Sequence, residues 1–264
     1  MYYKDKIIWI TGASSGVGEA LVYAFNNEKA QLIISSHEPE ELERVKNNCK
    51  YEPDKIFVLP FNLLEHDKIP SLAKIVIDKF KKIDLLFNVG GVSQRALAKD
   101  TKIEIDKRIM AINYFGTVIL TKAVLPEMIK NNSGHIAVMT SLAGKFEIPL
   151  RSAYAASKHA LHGFFDTLRA EIYDYGIKVT LFCPSYINTN IAVNALTKNG
   201  TAQKQNDPGI EKGMSPEYFA QRALKALKKG KQESIVGGKE IIGVYVKRFF
   251  PKLFSKIIRK RNVR

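Results

Sequence analysis

Cysteine and long apolar runs are scarce in this sequence. Two of its 264 residues are cysteines, Cys49 and Cys183, and neither belongs to a Cys-x-x-Cys or Cys/His spacing. The chain therefore shows no pattern for a disulfide framework or a structural zinc site, which favours a reducing compartment. No apolar run approaches the roughly 18 residues of a transmembrane helix, and residues 1–16 do not resemble a secretory signal. We expect a cytoplasmic protein.

Acidic residues are absent from 247–264, where eight residues are Lys or Arg. Removing these eight charges from the net charge of +15 leaves +7 for residues 1–246. The excess suits acidic partners such as a phosphorylated cofactor, anionic lipid headgroups or an acidic carrier protein. No nucleic-acid-binding motif accompanies the charge, so we expect no nucleic acid partner.

Short apolar strand patterns, such as KIIWIT and KVTLFCPSYI, alternate with longer helical patterns along the chain. This alternation predicts βαβ units and the fold class α/β, a doubly wound parallel sheet flanked by helices. Near-continuous apolar strands suit a sheet that is covered on both faces. We predict one domain over residues 1–246, with a polar loop or lid at 190–214, followed by a basic tail at 247–264.

A glycine-rich turn, TGASSGVG at 11–18, lies between the first strand and the first helix. Gly12, Gly16 and Gly18 permit a tight turn, and a helix N-terminus offers free N–H groups to a pyrophosphate. The spacing is Gly-x-x-x-Gly-x-Gly rather than the common Gly-x-Gly-x-x-Gly. The turn alone leaves a dinucleotide site and a ligand-free turn both open.

Tyr154 and Lys158 lie in the first turns of a predicted helix, SAYAASKHALHGFFDTLRAEI. Residues four apart share a helix face, so the phenol and the ammonium are neighbours. A packing tyrosine beside a solvated lysine explains the pair. An ammonium that lowers the pKa of a proton-donating phenol explains it equally well, so the pair alone decides nothing.

Several motifs, in order, resemble the short-chain dehydrogenase/reductase family over about residues 5–240. The glycine turn and Tyr154-x-x-x-Lys158 are joined by NVGG at 88–91, Asn113 in MAINYFGT, Ser141 in VMTSLAG, and PSYINT at 184–189. Within the family, GVSQRAL, INYFGTVILTKAVLPEMI and YAASKHALHGFFDTLRAE look like the branch related to 11β-hydroxysteroid dehydrogenase and the dehydrogenase/reductase member 7 group.

The resemblance implies a Rossmann-like fold and hydride transfer between a nicotinamide and a carbonyl or alcohol. Tyr154 is then the acid/base, and Lys158 lowers its pKa and holds the nicotinamide ribose. Ser141 hydrogen-bonds the substrate oxygen, and Asn113 supports a water that relays protons. The cofactor-binding residues implied in the same way are Gly12, Ser14, Ser15, Gly16, Val17, Gly18, Ser36, His37, Asn62, Leu63, Asn88, Gly90, Tyr154, Lys158, Pro184, Ile187 and Thr189.

Four positions depart from the family pattern. Val89 and Gly90 stand where a second Asn and an Ala are usual, Asn62 replaces an Asp that contacts adenine, and Ser185 replaces a Gly. Asn88 is kept, so we expect dinucleotide binding to survive.

The end of the second strand, IISSHEPEE, distinguishes NAD from NADP, because an acid there binds the 2′-hydroxyl and repels a 2′-phosphate. By alignment with the branch, Ser36 falls at the acid position and His37 follows it, which favours NADP. Glu38 opposes this choice unless its carboxylate points to solvent at the start of the next helix. We predict NADP rather than NAD.

His159 and His162 are three residues apart on one predicted helix, a spacing that a metal can use. No third ligand of matching type is evident in the sequence. We predict no metal site and interpret both residues as core-flanking or subunit-interface residues.

The tail carries an apolar stripe formed by Phe250, Leu253, Phe254, Ile257 and Ile258, with basic residues around it. Such a helix can bind an anionic membrane surface, pack on a neighbouring subunit, or extend a substrate channel. All three remain open.

The sequence thus predicts an NADP-dependent oxidoreductase with an apolar carbonyl or alcohol substrate, steroid-, lipid- or retinoid-like, in a homodimer or homotetramer. A 3-oxoacyl-thioester reductase acting on an acyl carrier protein is an alternative that suits the basic surface. A catalytically silent dinucleotide sensor is another, although a sensor has no need of Asn113, Ser141, Tyr154 and Lys158 together.

Overall fold

The computed structural model describes residues 1–260 and contains a seven-stranded parallel sheet. The strands are β1 (Ile7–Thr11), β2 (Gln31–Ser35), β3 (Ile56–Val58), β4 (Leu85–Asn88), β5 (Gly134–Met139), β6 (Ile177–Pro184) and β7 (Glu233–Val236). Their order is β3-β2-β1-β4-β5-β6-β7, and every neighbouring pair is parallel. The direction of winding reverses between β1 and β4, so a crevice opens there beyond the carboxyl ends of the strands. The predicted fold class is confirmed.

Helices connect the strands and cover both faces of the sheet. They are α1 (Gly16–Asn27), α2 (Pro39–Asn47), α3 (Ile69–Phe80), α4 (Ile103–Met110), α5 (Thr117–Lys130), α6 (Ser152–Glu171), α7 (Pro208–Glu211), α8 (Pro216–Lys228), α9 (Ile242–Phe249) and α10 (Pro251–Lys260). The central strand β1 shows why its sequence is apolar throughout. Ile8 and Ile10 pack with Phe25 of α1 on one face, whereas Trp9 packs with Phe165 of α6 on the other. Because successive side chains point to opposite faces, a strand buried on both faces has no polar position.

Helices α4 and α5 are joined by a π-helical turn, Ala111–Gly116, into one continuous helix. Over Ile103–Lys130 this helix is long and apolar enough to cross a membrane by length and composition. Half of its most apolar window is buried inside the protein, as in the core helix of a globular domain. The buried part includes Leu120, Val124 and Met128 of α5, which pack in the core cluster on one face of the sheet.

Residues 190–214, predicted as a loop or lid, connect β6 to α8 in a mostly irregular conformation that includes the short helix α7. The predicted boundary between residues 246 and 247 falls inside helix α9, so the basic tail continues a helix of the preceding segment. Residues 261–264 of that tail lie outside the described residues.

The apolar stripe of the tail divides between two environments. Phe254 and Ile258 of α10 are buried in a cluster with Leu142 and Phe146, and the rings of Phe146 and Phe254 lie 5.1 Å apart. Leu253 and Ile257 remain about half exposed. Helix α10 thus packs on the domain through one edge of its stripe and presents the other edge outward.

Candidate active site

The glycine turn between β1 and α1 leaves no space for side chains at two positions. A Cβ on Gly18 would lie 1.9 Å from the carbonyl oxygen of Gly12, and a Cβ on Gly12 would lie 2.7 Å from the Cα of Gly90. Gly12 also has a φ of +65°, which favours glycine. Helix α1 begins directly after Ser15. The first N–H groups of the helix therefore face the crevice between β1 and β4. The close approach of backbone at Gly12 and Gly18 is suited to a pyrophosphate at the helix N-terminus.

Asn88 ends β4 in the crevice beside the glycine turn. Its side chain is buried, and Nδ2 donates to Thr121 Oγ1 at 3.2 Å. Its Oδ1 has no hydrogen-bond partner among the described residues. A buried acceptor without a partner is costly, so this oxygen is suited to a donor from a bound group such as a ribose hydroxyl. Together with the glycine cradle, it shows that the residues present fit a dinucleotide.

The remaining cofactor candidates lie along the same edge of the sheet. Asn62 and Leu63 follow β3, with Asn62 Oδ1 accepting from the N–H of Leu64 at 3.0 Å and Leu63 packing against Gly90. Val17, Pro184, Ile187 and Thr189 line a cavity beyond the ends of the strands. Thr189 also lies close to the glycine turn, since a Cβ on Gly16 would be 3.0 Å from its Cγ2.

At the end of β2, Glu38 turns towards the glycine turn rather than away from it. Ser14 Oγ donates to Glu38 Oε2 at 2.7 Å, and the N–H of Glu38 donates to Ser36 Oγ at 2.9 Å. Ser36 is buried and His37 is exposed. Glu38 is exposed at the start of α2, as the sequence alternative expected, but its carboxylate is held beside Ser14 and Ser36 by the bond from Ser14.

Tyr154 and Ser141 meet at the floor of the cavity. Tyr154 lies in the first turn of α6, and Ser141 follows β5, where its Oγ accepts the N–H of Ala143 at 3.1 Å. Burial raises the pKa of Tyr154 above its ordinary value, while a hydrogen bond with Ser141 and the positive charges of Arg95 and Arg151 act in the opposite direction. Both hydroxyls line the cavity, so a carbonyl oxygen entering it can reach both.

Lys158 is fully enclosed one turn further along α6. Its Nζ lies 5.6 Å from the centre of the Tyr154 ring and donates to the carbonyl oxygen of Met139 at 2.8 Å. Burial lowers the pKa of Lys158 to about 8. Burial is the largest effect on Tyr154 and leaves its pKa above the ordinary value, with the ammonium of Lys158 over the ring face; a lowering of that pKa by Lys158 stays a prediction.

Asn113 lies in the π-helical turn between α4 and α5, a conformation that often marks functional sites. Its Nδ2 donates to the carbonyl oxygen of Val92 at 2.9 Å and to Ser157 Oγ at 3.0 Å, and its Oδ1 accepts the N–H of Val92 at 2.8 Å. Every polar atom of this side chain is therefore occupied by the protein. The amide ties the segment after β4 to helix α6, which carries Tyr154 and Lys158.

The cavity above Ser141 and Tyr154 is open and has a volume of about 920 Å³ including its mouth. Its walls are mostly apolar, with contributions from the segment after β5, from the segment after β6 and from Ile258 of α10. The tail thus forms part of the cavity wall. This is the position that the tail would need in order to extend a substrate channel.

Five residues close to Ser141 and Tyr154 could not be identified from the sequence. Gln94 bonds to the start of α6, Arg95 and Arg151 form ion pairs with Asp207, and Tyr186 lines the cavity. These residues come from separate segments that show no shared spacing. Gln94 and Arg95 lie in the family-like stretch GVSQRAL, but nothing in the sequence connects them to Arg151 or Asp207.

His162 lies near Cys183 and Glu233, a grouping that the sequence did not indicate. Its Nε2 is 3.7 Å from Cys183 Sγ, whereas its Nδ1 is 3.9 Å from Glu233 Oε2. The two partners therefore face different ring nitrogens, and Lys145 already pairs with Glu233. One ligand atom from each of the three residues lies within 4.8 Å of the other two, and the absence of a metal site stays a prediction.

Comparison with known proteins agrees with this geometry. A family model described as short chain dehydrogenase matches residues 6–200. The chain is 40% identical to the dehydrogenase/reductase SDR family protein 7-like of Drosophila melanogaster, covering 98% of this chain and 81% of that protein. It is 37% identical to dehydrogenase/reductase SDR family member 7B of Xenopus laevis, covering 98% and 83%.

Among solved structures, a short chain dehydrogenase/reductase from Burkholderia phymatum in complex with NAD has a TM-score of 0.83 at 20% identity, covering 100% of this chain and 98% of that one. An alcohol dehydrogenase from Thermococcus sibiricus complexed with 5-hydroxy-NADP has a TM-score of 0.72 at 22% identity, covering 89% and 97%. These two similarities show a shared fold. The family match and the full-length relatives show more: this chain belongs to the short-chain dehydrogenase/reductase family and is an oxidoreductase of the NAD(P)-dependent kind.

Proposed function

We propose that this protein is an NADP-dependent reductase or dehydrogenase that interconverts an apolar ketone or aldehyde and its alcohol. One observation carries the proposal: Ser141 and Tyr154 open into an apolar cavity at the sheet edge that also holds the glycine cradle. A carbonyl compound in this cavity and a dinucleotide on the cradle share one crevice. The apolar walls support a steroid-, lipid- or retinoid-like substrate in this proposal.

A reduced nicotinamide cofactor held by the glycine turn and Asn88 would supply a hydride to the carbonyl carbon in the reduction direction, and the carbonyl oxygen must then gain a proton. Tyr154 donates that proton from its hydroxyl, and Ser141 Oγ donates a hydrogen bond to the oxygen as negative charge develops. Lys158 stabilises the resulting phenolate electrostatically, and its own proton restores the phenol. Oxidation of the alcohol runs through the same groups in reverse.

In this proposal Asn113 is a positioning residue that does not touch the substrate. Its amide is occupied by Val92 and Ser157, so we do not assign the relay water near Lys158 to this side chain. The side chain instead fixes the spacing between the segment after β4 and helix α6.

The preference for NADP rests on the region after β2. Ser36 supplies a hydroxyl where an acid is needed to exclude a 2′-phosphate, and His37 is free to approach the same group from solvent. Glu38 is the one residue of this group that opposes a phosphate, because Ser14 holds its carboxylate at the turn. A titration with NADPH and NADH measures the balance directly.

The tail contributes a peripheral membrane surface in the same proposal. Phe249, Phe250, Leu253 and Ile257 are about half exposed or more, and Lys or Arg side chains surround them without an acid on α10. Such a face suits an anionic bilayer surface. Binding to phosphatidylserine vesicles should fall in Leu253→Ser/Ile257→Ser and persist in Tyr173→Ser, which removes an exposed aromatic side chain elsewhere. Equal binding of all three proteins would remove the membrane surface from the proposal.

We further propose a cytoplasmic homodimer or homotetramer. Both cysteines are free and buried, which suits a reducing compartment. Exposed apolar side chains on the outer helices, including Phe115, offer surface for a subunit contact. Light scattering coupled to size-exclusion chromatography gives the mass; a monomer at micromolar concentration would contradict this part.

The deciding experiment follows absorbance at 340 nm, where reduced nicotinamides absorb, with NADPH and NADH against a panel of ketones, aldehydes and a 3-oxoacyl thioester. Turnover should depend on Tyr154, so Tyr154→Phe should lose at least about a hundredfold in kcat, while the exposed Tyr218→Phe should match the parent. Fastest turnover of the thioester would favour the acyl-thioester reductase. Dinucleotide binding without turnover of any compound would identify a sensor, and activity unchanged in Tyr154→Phe would exclude the mechanism.

A further inference from the structure

Two arginines and one aspartate form a buried cluster beside Tyr154. Arg95 Nη2 lies 2.7 Å from Asp207 Oδ2, and Arg151 Nη2 lies 2.6 Å from the same oxygen. The exposed fractions of the three side chains are 4%, 6% and 9%. Arg95 follows β4, Arg151 precedes α6, and Asp207 comes from the 190–214 segment. The cluster therefore joins three loops beside the cavity.

The charges of this cluster do not balance. Two guanidinium groups face one carboxylate, which leaves one positive charge in a nearly water-free place. Glu240 also lines the cavity, but it is partly exposed and makes no ion pair with Arg95 or Arg151 within residues 1–260. A buried charge without a counterion is unfavourable, so binding of a second anion would balance the charge of this cluster.

Arg151 is the group with donors to spare. Arg95 uses its guanidinium on Asp207, on Ser93 Oγ at 2.7 Å and on the carbonyl oxygen of Gln94 at 2.6 Å. Arg151 donates to Asp207 and, at 3.2 Å, to the carbonyl oxygen of Pro149. Its Nε–H has no hydrogen-bond partner among the described residues. A planar guanidinium with free N–H groups is well suited to the oxygens of a carboxylate or phosphate.

The cluster belongs to the same cavity as the reacting groups. Arg95 and Arg151 line it together with Ser141 and Tyr154, and both guanidinium charges favour the ionised form of Tyr154. An anion held by Arg151 would therefore be part of the molecule whose carbonyl lies against Tyr154. The rest of the wall is hydrocarbon, which suits an alkyl chain rather than a second charge.

We propose that Arg151, supported by Arg95, binds an anionic group, a carboxylate or a phosphate, on an otherwise apolar substrate. The identification of this ligand as the substrate rests on the proposed function, whereas binding of the anion does not. The substrate is then an amphiphile whose charged end lies near its reacting carbonyl, and the apolar walls hold its chain.

Calorimetry on the protein saturated with its dinucleotide tests the site with three probes of equal chain length: decanoate, n-decyl phosphate and 1-decanol. At least one anion should bind ten times more tightly than the alcohol, and the tighter anion distinguishes carboxylate from phosphate. Arg151→Met should reduce the tighter anion to the affinity of decanol. Arg222→Met, which removes an equal charge from the exposed face of α8, should retain the preference.

A second variant guards against misfolding of Arg151→Met. Asp207→Asn keeps a hydrogen-bonding side chain but removes the competing carboxylate, so the anion should bind at least threefold more tightly. The proposal is overturned if decanol binds as well as both anions, if Arg151→Met keeps the anion preference, or if Asp207→Asn binds the anion no better than the parent. Failure of every carbonyl compound in the 340 nm assay would refute the proposed function while leaving these binding results standing.

Discussion

Gln94 caps the helix that carries Tyr154: its Oε1 accepts the N–H of Ala153 at 2.8 Å. The same oxygen lies 3.4 Å from the N–H of Tyr154, and Nε2 donates to Thr101 Oγ1 at 3.0 Å. Arg151, which stands at the usual capping position of α6, makes no side-chain cap. Gln94, a buried residue of the segment after β4, therefore caps α6 in place of the residue that directly precedes the helix.

Gln94→Ala should slow catalysis by misplacing Tyr154. Loss of the cap frees the first turn of α6, so kcat should fall about tenfold with a smaller change in KM, and stability should fall by about 1 kcal/mol. Gln94→Glu keeps the acceptor oxygen and should recover most of kcat. A variant that loses stability but keeps the parental kcat and pH profile would show that Gln94 is only structural.

Lys158→Met should make the protein more stable. Burial holds the pKa of Lys158 at about 8 in the folded chain against an ordinary value of 10.5. The unfolded chain therefore binds more protons between these values, and below pH 8 the folded state bears the full cost of the buried charge. Even after loss of the bond to Met139, the free energy of unfolding at pH 7 should rise by about 2 kcal/mol.

The pH dependence of this difference provides its control. The parent should gain stability as pH rises from about 8 towards 10.5, whereas Lys158→Met has no such group, so the two denaturation curves should converge. Urea unfolding at pH 7 and pH 9.5 measures it. A constant difference, or a less stable variant at pH 7, would contradict the buried-charge explanation. Activity should be lost in either case.

Gly18→Ala and Gly163→Ala make a matched pair. A Cβ on Gly18 meets the carbonyl oxygen of Gly12 at 1.9 Å, whereas a Cβ on Gly163 has no heavy atom of the described residues within 4 Å. Gly18→Ala should therefore deform the cradle and weaken dinucleotide binding at least tenfold. Gly163→Ala, in the middle of α6, should bind normally and gain about 0.5–1 kcal/mol of stability. Equal dinucleotide affinities would argue against the cradle.

Glu38→Gln should shift the cofactor preference towards NADPH. An amide can still accept from Ser14 Oγ, so the local structure is kept, but the charge that repels a 2′-phosphate is removed. KM for NADPH should fall about fivefold while KM for NADH changes little or rises. The control is Glu40→Gln, an exposed carboxylate in the first turn of α2. If both KM values moved together, Glu38 would have no part in choosing the cofactor.

The glycine turn at Gly12 could be placed from the pattern of strand, turn and helix, because the carboxyl ends of parallel strands meet at one edge of the sheet. Ser141 and the role of Tyr154 were identified through motifs that resemble the family, since the pair Tyr154 and Lys158 alone decided nothing. Element boundaries were less accurate, since the strand pattern KVTLFCPSYI covers residues 178–187, whereas strand β6 runs from Ile177 to Pro184.

Contacts between loops could not be predicted in this way. Arg151 and Asp207 are 56 residues apart and meet because the 190–214 segment folds back over the cavity. The direction of Glu38 depends on one bond to Ser14, and no periodicity encodes it. The division of the tail stripe depends on the position of Phe146, which supplies the surface for Phe254.

The place of Ile258 in the cavity wall bears on how such enzymes diverge. Helix α10 contacts the cavity through a small apolar cluster and takes no part in the sheet, the glycine turn or the catalytic group. Mutations in α10 can therefore reshape the space offered to a ligand without altering the glycine turn, Ser141 or Tyr154. Evolution can therefore change the substrate specificity of such an enzyme through substitutions in a peripheral helix, while the residues of the active site stay the same.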